Sequence, residues 1–419
     1  MKTTDFLLEL GSLEQIQAQA REQSSLSAPM PFNCHIHLPP NFSAFETVSQ
    51  AVELAAEQGV KVLGAGNYYD YSVYREFVEQ CRQKAVFPLF GTEIIALETD
   101  LQQQGIRIND PGNPGKYYIC GKGISRFEPL SAGAAELLNG IRGNDALRMR
   151  EMTEKMARVF GEHGVETGLD ETAVIERVVK RHGVERDMVT LQERHLTQAF
   201  QEVFFEKVPA EQRIKKLTEL FGTTPKSGAD DAVGIQNEIR THLMKAGKVC
   251  FVPETFVSLA QAKELILELG GIPCYPVLAD GSSQRCEYET PLEKLIETLK
   301  ANQYAMVEFI PIRNSAEVLA DYVKAIRQAG ITVVAGTEHN TLDLLPIEPT
   351  CANSQDIPDD VKAIFWEGVC VLVGHAFLSA HKESGFVDAN SSYNDAEERI
   401  EAFSKIGEAV LNNYFNWKA

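Results

Sequence analysis

The sequence predicts an α/β fold in which about seven strands close into a barrel. From Phe32 onward, short apolar runs alternate with segments of helical spacing, a pattern typical of a parallel sheet with crossover helices. Glycines stand at Gly59, Gly270 and Gly330, where the connecting helices should end. One block, residues 129–247, breaks the alternation with helix after helix and no convincing strand. It predicts a helical insertion.

The predicted strands are short apolar runs, at residues 32–37, 60–65, 86–95, 116–121, 271–275, 305–310 and 331–335. Between them, apolar residues recur at helical intervals, as Val48 and Val52 do in the first such segment. We therefore predict helices over 44–58, 70–84, 256–269, 290–302 and 315–329. Further helices are predicted over 5–23, within 359–380 and over 395–414.

This pattern divides the chain into three parts. Residues 1–30 are predicted to be an N-terminal helical extension, 31–128 and 248–419 the barrel, and 129–247 the insertion. Within the insertion, helical spacing with charged outer faces extends over 151–162, 171–182 and 190–207.

Composition and charge exclude some classes of function. The 419-residue chain has 44% hydrophobic residues, enough for a full core, and a formal charge of −19 at pH 7. Proteins bind nucleic acids through clustered Lys and Arg, so this strongly negative charge argues against a nucleic-acid binder. A local basic pocket for a small anionic metabolite stays open.

Cysteine usage and the N-terminus indicate the compartment. The eight cysteines are scattered without a C-x-x-C pair, as expected for reduced thiols. The N-terminus lacks the basic start and apolar run of a signal peptide, and no stretch approaches 18 uninterrupted apolar residues. We expect a cytoplasmic protein that does not enter a membrane, and leave open whether it forms a homo-oligomer.

The strongest chemical signal is the pair His35 and His37 at the end of the first predicted strand. Residues two apart on a strand face the same side, so both imidazoles should point to the barrel mouth, where barrel chemistry occurs. Neutral imidazoles are good ligands for zinc, iron or manganese. The pair therefore predicts a divalent-metal site.

Three glutamates are candidates to complete this site. Glu93 follows the apolar run 86–90 within the third predicted strand, Glu308 lies inside the sixth, and Glu338 follows the seventh. Taken singly, each is more often a solvated residue. Taken with the two histidines, two of these glutamates would complete a site of two imidazoles and two carboxylates.

In their order, these motifs resemble those of the polymerase and histidinol phosphatase (PHP) family of metal-dependent phosphoesterases. H-I-H at 35–37 resembles the family's H-x-H, G-T-E at 91–93 its G-x-E, and G-T-E-H-N at 336–340 its closing G-S-D-x-H. E-L-G-G-I-P-C-Y-P at 268–276 resembles its G-G-x-x-x-A-H-P. The resemblance runs from about residue 32 to 342 and implies a distorted seven-stranded barrel that holds up to three metals.

The insertion resembles that of the nucleoside-bisphosphate phosphatase and exoribonuclease branch. R-H-L-T-Q-A-F at 194–200 resembles the branch's R-P-H-I-A-R-A, and G-K-V-C-F-V-P at 247–253 resembles its G-K-P-A-Y-V-P. The resemblance implies that Arg194 and His195 reach a substrate phosphate.

Several of the family's metal ligands are replaced in this chain. What survives is His35, His37, Glu93 and Glu338, which resemble the ligands of one of the family's metals. A phenol is a poor ligand for most divalent ions, so we expect one ion per chain, zinc, manganese or iron, instead of three. The replaced positions fall on Phe42, Gly66, Asn67, Tyr68, Tyr118, Tyr275 and Asn340.

The other site residues are assigned by chemistry. His339 or Asp70 would transfer protons, with Tyr275 as a further catalytic candidate. The residues predicted to bind substrate are Arg194, His195, Tyr68, Tyr118 and Arg313. Each tyrosine could equally be an ordinary half-buried residue, and Arg194 a surface one. His375 could sit at the end of another strand.

Three hypotheses of function follow. The first is a metal-dependent hydrolase that acts on a small phosphorylated metabolite through a metal-activated water. The second keeps the single metal but changes the substrate to a sugar acid or another carboxylate. The third is a barrel that has lost catalysis and now binds a small molecule or partner.

Overall fold

A computed structural model describes residues 2–387 and 395–418, and it confirms the seven-stranded barrel. The seven strands pair in sequence order from first to last. Each predicted strand lies within about two residues of an observed one. The strands are β1 (Phe32–Ile36), β2 (Val62–Ala65), β3 (Phe87–Leu97), β4 (Lys116–Lys122), β5 (Ile272–Val277), β6 (Met306–Phe309) and β7 (Thr332–Ala335).

The prediction of an all-parallel sheet is wrong for β4, which runs antiparallel to both β3 and β5. The remaining neighbours are parallel. β3 and β4 are joined by one short helix, α4 (Thr99–Gln103), and such a connection is too short for a crossover to a parallel strand. The reversal distorts the barrel.

The sheet is nearly closed where β1 approaches the segment after β7. The backbone N–H of His37 donates to the carbonyl of Glu338 at 2.8 Å, and the N–H groups of Thr337 and Glu338 donate to the carbonyl of His35 at 3.0 and 2.8 Å. The two predicted histidines therefore sit at the seam of the barrel, with a predicted glutamate directly beside them.

Amphipathic helices surround the sheet. Their buried faces carry the predicted apolar residues, such as Val48 and Val52 in the first crossover helix. The prediction of one helix over 5–23 is corrected to a 3-10 helix (Thr3–Leu10) and α1 (Leu13–Glu22), separated by Gly11 at φ 139°. The crossover helices are α2 (Val48–Glu57), α3 (Tyr74–Gln83), α10 (Leu259–Glu268), α11 (Leu292–Ala301) and α12 (Ala316–Gln328).

The block without strands is helical, between β4 and β5. It builds a hydrophobic core of its own, which includes Phe160, Phe200 and Phe204. The first helix is longer than the predicted 151–162, because it continues through three glycines that weaken the helical pattern. Its helices are α5 (Ala132–Glu162), α6 (Glu171–His182), α7 (Glu193–Lys207), α8 (Ala210–Phe221) and α9 (Ala232–Ile239), with a π-helical turn at Arg240–Met244. The division of the chain into separate domains stays a prediction.

Two long helices, α13 (Asp359–Ala380) and α14 (Ala396–Lys418), end the chain. His375 lies in α13 and not at a strand end, so that prediction is wrong: its ring bonds the carbonyl of Gly270 and the N–H of Phe386. By length and composition alone α13 could cross a membrane, but 72% of its most apolar window is buried inside the fold. That is the pattern of a core helix.

Candidate metal centre

The centre begins with two histidines at the end of β1: His35 lies on the strand, and His37 directly follows it. His35 and His37 are 1% and 0% exposed, and their rings lie 5.1 Å apart. Nε2 of His37 is 3.1 Å from Oε2 of Glu93, and Nε2 of His35 is 3.7 Å from the same oxygen. One carboxylate oxygen thus faces both imidazoles, as the period of the strand led us to expect.

These three side chains could hold a divalent ion. One ligand atom from each lies within 4.8 Å of the other two. Nε2 of His35 is buried and has no hydrogen-bond partner among the described residues, so its lone pair is free for a metal. Two imidazoles and one carboxylate are also a common donor set of catalytic zinc, in which a fourth position stays open. The residues present therefore fit the ion.

A buried ion pair orients His35 from behind. Nδ1 of His35 lies 2.9 Å from Oε2 of Glu308, and the ammonium of Lys122 lies 2.6 Å from the other oxygen. Burial alone would raise the pKa of Glu308, but the charges of Lys122 and His35 outweigh it and bring the pKa to about 2. An ionised Glu308 accepts a hydrogen bond from Nδ1–H of His35, which leaves Nε2 as the ligand nitrogen.

Glycines give the His35 ring its space. A Cβ on Gly66 would lie 2.5 Å from Nε2 of His35, and one on Gly336 would lie 2.4 Å from its Cβ. Neither position could carry a side chain without moving the imidazole. Gly66 is thus required by packing, although in the PHP resemblance it replaces part of a ligand motif.

The two residues after Gly66 also hold the histidines in place. The amide of Asn67 bonds the backbone N–H and carbonyl of Leu38 at 2.8 and 2.9 Å, fixing the chain just past His37. The ring of Tyr68 stacks on His37, with centroids 5.1 Å apart. Burial, with the charge of Glu93, raises the pKa of Tyr68 well above its usual value, so its hydroxyl stays protonated.

Glu338 is near the cluster but is engaged elsewhere. Arg313 donates to both of its carboxylate oxygens, one at 3.1 Å, and the amide of Asn340 donates to it at 2.7 Å. Burial opposes ionisation, but Arg313 lowers the pKa of Glu338 below its usual value. The structure therefore brings Glu338 to the site as the partner of an arginine, and Glu93 as the partner of the histidines.

A cavity of about 460 Å³ opens from this centre toward the insertion. Glu93, Tyr68, Tyr118, Arg313 and Glu338 line its barrel side. The insertion contributes Asp145, Arg148, Glu193, Arg194, Arg240 and Lys245.

Most charges in the cavity walls are paired. Glu193 accepts from Arg148 at 2.5 Å and from Arg240 at 2.7 Å, and Lys116 lies 3.0 Å from Glu254. Among the cavity-lining cations of the described ranges, Arg194 and Lys245 make no ion pair, and the carboxyl group of Asp145 makes none either. Arg194 instead donates to the amide oxygen of Asn237 at 3.3 Å and faces the ring of Phe42 at 5.8 Å.

Four of the residues predicted for catalysis or substrate binding do not line the cavity, and His339 and Asp70 are two of them. His339 is 2% exposed, with its ring nitrogens bonded to the hydroxyl of Thr337 and the carbonyl of Leu345 at 2.6 and 3.0 Å. Burial lowers its pKa. Asp70 bonds Ser72 and lies 3.0 Å from Arg142. These partners give both side chains structural contacts, and proton transfer by either residue stays a prediction.

Tyr275 and His195 are likewise held in packed surroundings. The Tyr275 hydroxyl donates to Glu289 at 2.8 Å within a cluster of buried tyrosines. Nδ1 of His195 accepts from the N–H of Gln192 at 3.0 Å and caps α7, and burial lowers its pKa to about 3. Of the predicted substrate contacts, Arg194, Tyr68, Tyr118 and Arg313 line the cavity.

Two residues of the centre were underrated from sequence. Glu308 is one of the three candidate glutamates, and Lys122, whose ammonium pairs with it, is the last residue of β4. Glu308 stands in the middle of the buried strand β6, and a buried carboxylate needs a charged partner. That signal predicts a partner but does not say which of the 40 Lys and Arg residues it is.

No family model matches the sequence, and no curated protein does. Two solved structures are similar to the fold. One, to which a metal-dependent phosphoesterase activity is ascribed, comes from Bifidobacterium adolescentis and aligns with a TM-score of 0.54 and 15% identity, over 80% of this chain and 96% of that one. The other, an amidohydrolase from Chromobacterium violaceum with bound sulfate and no metal, aligns with a TM-score of 0.49 and 16% identity over the same shares. At these identities the likeness concerns the fold alone, and the PHP resemblance stays a prediction.

Proposed function

We propose that this protein is a metal-dependent hydrolase of a small phosphorylated metabolite, with one divalent ion held by His35, His37 and Glu93. The observation that carries the proposal is the convergence of these three ligand atoms within 4.8 Å, beside the unpartnered Nε2 of His35. A structural role for the cluster would not need that buried nitrogen to be free.

An ion bound there would polarise an oxygen of the substrate and lower the pKa of water. The chain's own part is to place the ligands and the substrate. Glu308 keeps His35 in the tautomer that leaves Nε2 free. Tyr68 stacks on His37 and covers the centre from the cavity, where its protonated hydroxyl can donate to an anion.

The charge balance supports one ion. The centre contains three carboxylates, but Glu308 is neutralised by Lys122 and Glu338 by Arg313. Only Glu93 lacks a side-chain cation among the described residues at the centre. A single divalent ion matches this uncompensated carboxylate and the two neutral imidazoles, since buried charge must be paired.

The cavity supports an anionic substrate. Its volume of about 460 Å³ suits a small metabolite, and Arg194 enters it without a carboxylate partner. A guanidinium binds phosphate in a bidentate fashion. The Bifidobacterium protein, whose name is that of a phosphoesterase, agrees with this choice of substrate.

Metal content and turnover test the proposal together. We expect the purified protein to bind about one Mn²⁺, Zn²⁺ or Fe²⁺ per chain and to hydrolyse a member of a phosphoester panel, and His35→Ala to lose both. His163→Ala is the control, because the His163 ring bonds the carbonyl of Val159 at the end of α5 and does not line the cavity. No turnover above the His35→Ala background would contradict the proposal.

The same measurements distinguish the alternatives. Turnover of sugar acids or lactones without turnover of phosphoesters would favour the carboxylate chemistry. A protein that takes up no transition metal would favour the binding-only barrel.

A further inference from the structure

We propose that the ammonium of Lys122 closes a second, inner metal position and thereby directs the ion to the cavity side of His35. The inner position consists of His35, Cys120 and Glu308. The inference rests on the proposed metal centre. It adds that Lys122 selects between two metal positions, which share the imidazole of His35.

Two ligand clusters meet at His35. Its Nε2 faces Glu93 and His37, and its Nδ1 faces Glu308. The thiol of Cys120 donates to the same Oε2 of Glu308 at 3.5 Å. Ligand atoms of His35, Cys120 and Glu308 lie within 4.8 Å of one another, as do those of His35, His37 and Glu93.

The inner cluster is the more attractive one by ligand chemistry. It offers an imidazole, a carboxylate and a cysteine sulfur, which is a preferred ligand of zinc once it loses its proton and binds as a thiolate. Cys120 lines the cavity, so an ion could reach it. Something must therefore prevent an ion from settling there.

Lys122 is the group that does so. Its Nζ lies 2.6 Å from Oε1 of Glu308 and 3.2 Å from the carbonyl oxygen of Cys34, and the residue is 2% exposed. A divalent ion on Glu308 would stand beside this ammonium in a buried, poorly screened setting, where like charges repel strongly. The ammonium already supplies the positive charge that Glu308 requires.

The ion pair of Lys122 with Glu308 also determines which nitrogen of His35 can bind a metal. A neutral imidazole carries one proton and has one lone pair for a metal. With Glu308 held by Lys122 as an acceptor, the proton stays on Nδ1 and the lone pair is on Nε2, toward the cavity. An ion in the inner position would bind Nδ1 instead. His35 would then offer no ligand nitrogen to an ion on the cavity side.

Cobalt substitution tests the selection, because Co²⁺ bound to thiolate shows an intense charge-transfer absorption in the near ultraviolet. We expect the wild-type protein loaded with Co²⁺ to lack this band and Lys122→Met to acquire it, as Cys120 releases its proton to solvent and binds the ion. The double variant Lys122→Met/Cys120→Ser should lose the band again.

Two further variants are controls for misfolding and for general effects of charge removal. Lys122→Gln keeps donors for Glu308 and the Cys34 carbonyl without the charge, and should show the band even if Lys122→Met fails to fold. Lys116→Met removes another buried lysine, 8% exposed and paired with Glu254, and should not show it.

The outcomes separate the two proposals. Wild-type protein that binds Co²⁺ with a thiolate band, or Lys122→Gln that binds Co²⁺ without one, would overturn the role of Lys122 and leave the metal centre standing. Wild-type protein that binds no Co²⁺ at all would overturn the metal centre and the inference with it.

Discussion

The barrel and the helical insertion contribute different groups to the same cavity. The barrel supplies the imidazoles and the carboxylates that could bind a metal, all on strands or directly after them. The insertion supplies Arg194 and Lys245, the cavity-lining cations that make no ion pair in the described ranges. Strands hold ligand atoms within a few ångströms through a hydrogen-bonded sheet, whereas helices present long side chains that can reach a bound anion.

The two parts also differ in their cores. Phe87 belongs to the large barrel core, whereas Phe200 belongs to the separate core of the insertion. If metal binding is a property of the barrel and anion binding one of the insertion, the two functions should be separable by substitutions. The following predictions test this comparison, from the largest expected effect to the smallest.

The largest effect is expected from emptying either core. Phe87→Ala and Phe200→Ala each remove a fully buried ring and should lower the free energy of unfolding by about 3–5 kcal/mol. Urea unfolding measured with Co²⁺ uptake should show that Phe200→Ala unfolds the insertion while metal binding persists. Simultaneous loss of both signals in Phe200→Ala would mean that the two cores fold as one unit.

Removing the cavity-side carboxylate should weaken metal binding next most. Glu93→Gln retains the shape of the side chain but loses the charge that faces both imidazoles, so the Kd for Zn²⁺ should rise about 100-fold or more. Glu254→Gln, which alters another carboxylate of the same cavity, should change it less than about threefold. Calorimetric titration measures both. Equal effects would show that only the overall charge of the cavity matters.

Arg194→Met should affect the anion and spare the metal. Loss of one charge-assisted hydrogen bond costs about 1.5 kcal/mol, which corresponds to a roughly tenfold higher Kd for inorganic phosphate. Arg150→Met is the control, since Arg150 pairs with Glu171 away from the cavity. A change in Zn²⁺ affinity as large as that in phosphate affinity would contradict the division of labour.

The smallest effect is a pH dependence on the insertion side. Burial raises the pKa of Asp145 to about 6, against the nearby charge of Arg148. Asp145 is therefore neutral at pH 5 and negative at pH 7.5, where it repels an anion in the cavity. Sulfate, which stays doubly charged across this range, should bind the metal-free protein about threefold more tightly at pH 5.

Asp145→Asn provides the control for this titration. The variant carries no charge at either pH, so sulfate should bind it at pH 7.5 more tightly than it binds the wild type, and the two proteins should agree at pH 5. An unchanged pH dependence in Asp145→Asn would assign the effect to other groups, such as the histidines.

Much of the barrel was predictable because its signals are local. The seven strands appear as apolar runs, and the two-residue spacing of His35 and His37 places both rings on one side of β1. Glu93 could be found as a carboxylate that follows an apolar run, although the structure places it in the interior of β3 and not at its end. The antiparallel direction of β4 could not be predicted, because a run of apolar residues does not indicate whether its strand pairs in parallel or antiparallel.

What the sequence did not reveal is which neighbours surround a candidate side chain. His339 and Tyr275 have the right chemistry for catalysis, but contacts with Leu345 and Glu289 hold them in packed surroundings. The partnership of Glu338 with Arg313 was likewise invisible, although both residues were expected at the site. Side-chain type and position along a strand do not specify which group lies opposite.

The sequence by itself determined the strands, the histidine pair and the place of the insertion, since periodicity and residue chemistry act over a few positions. Only the tertiary structure decided that Lys122 pairs with Glu308, from which it is separated by 186 positions in the chain. Barrel closure brings β1, β4 and β6 together around His35, and a buried charge takes the partner that this packing offers.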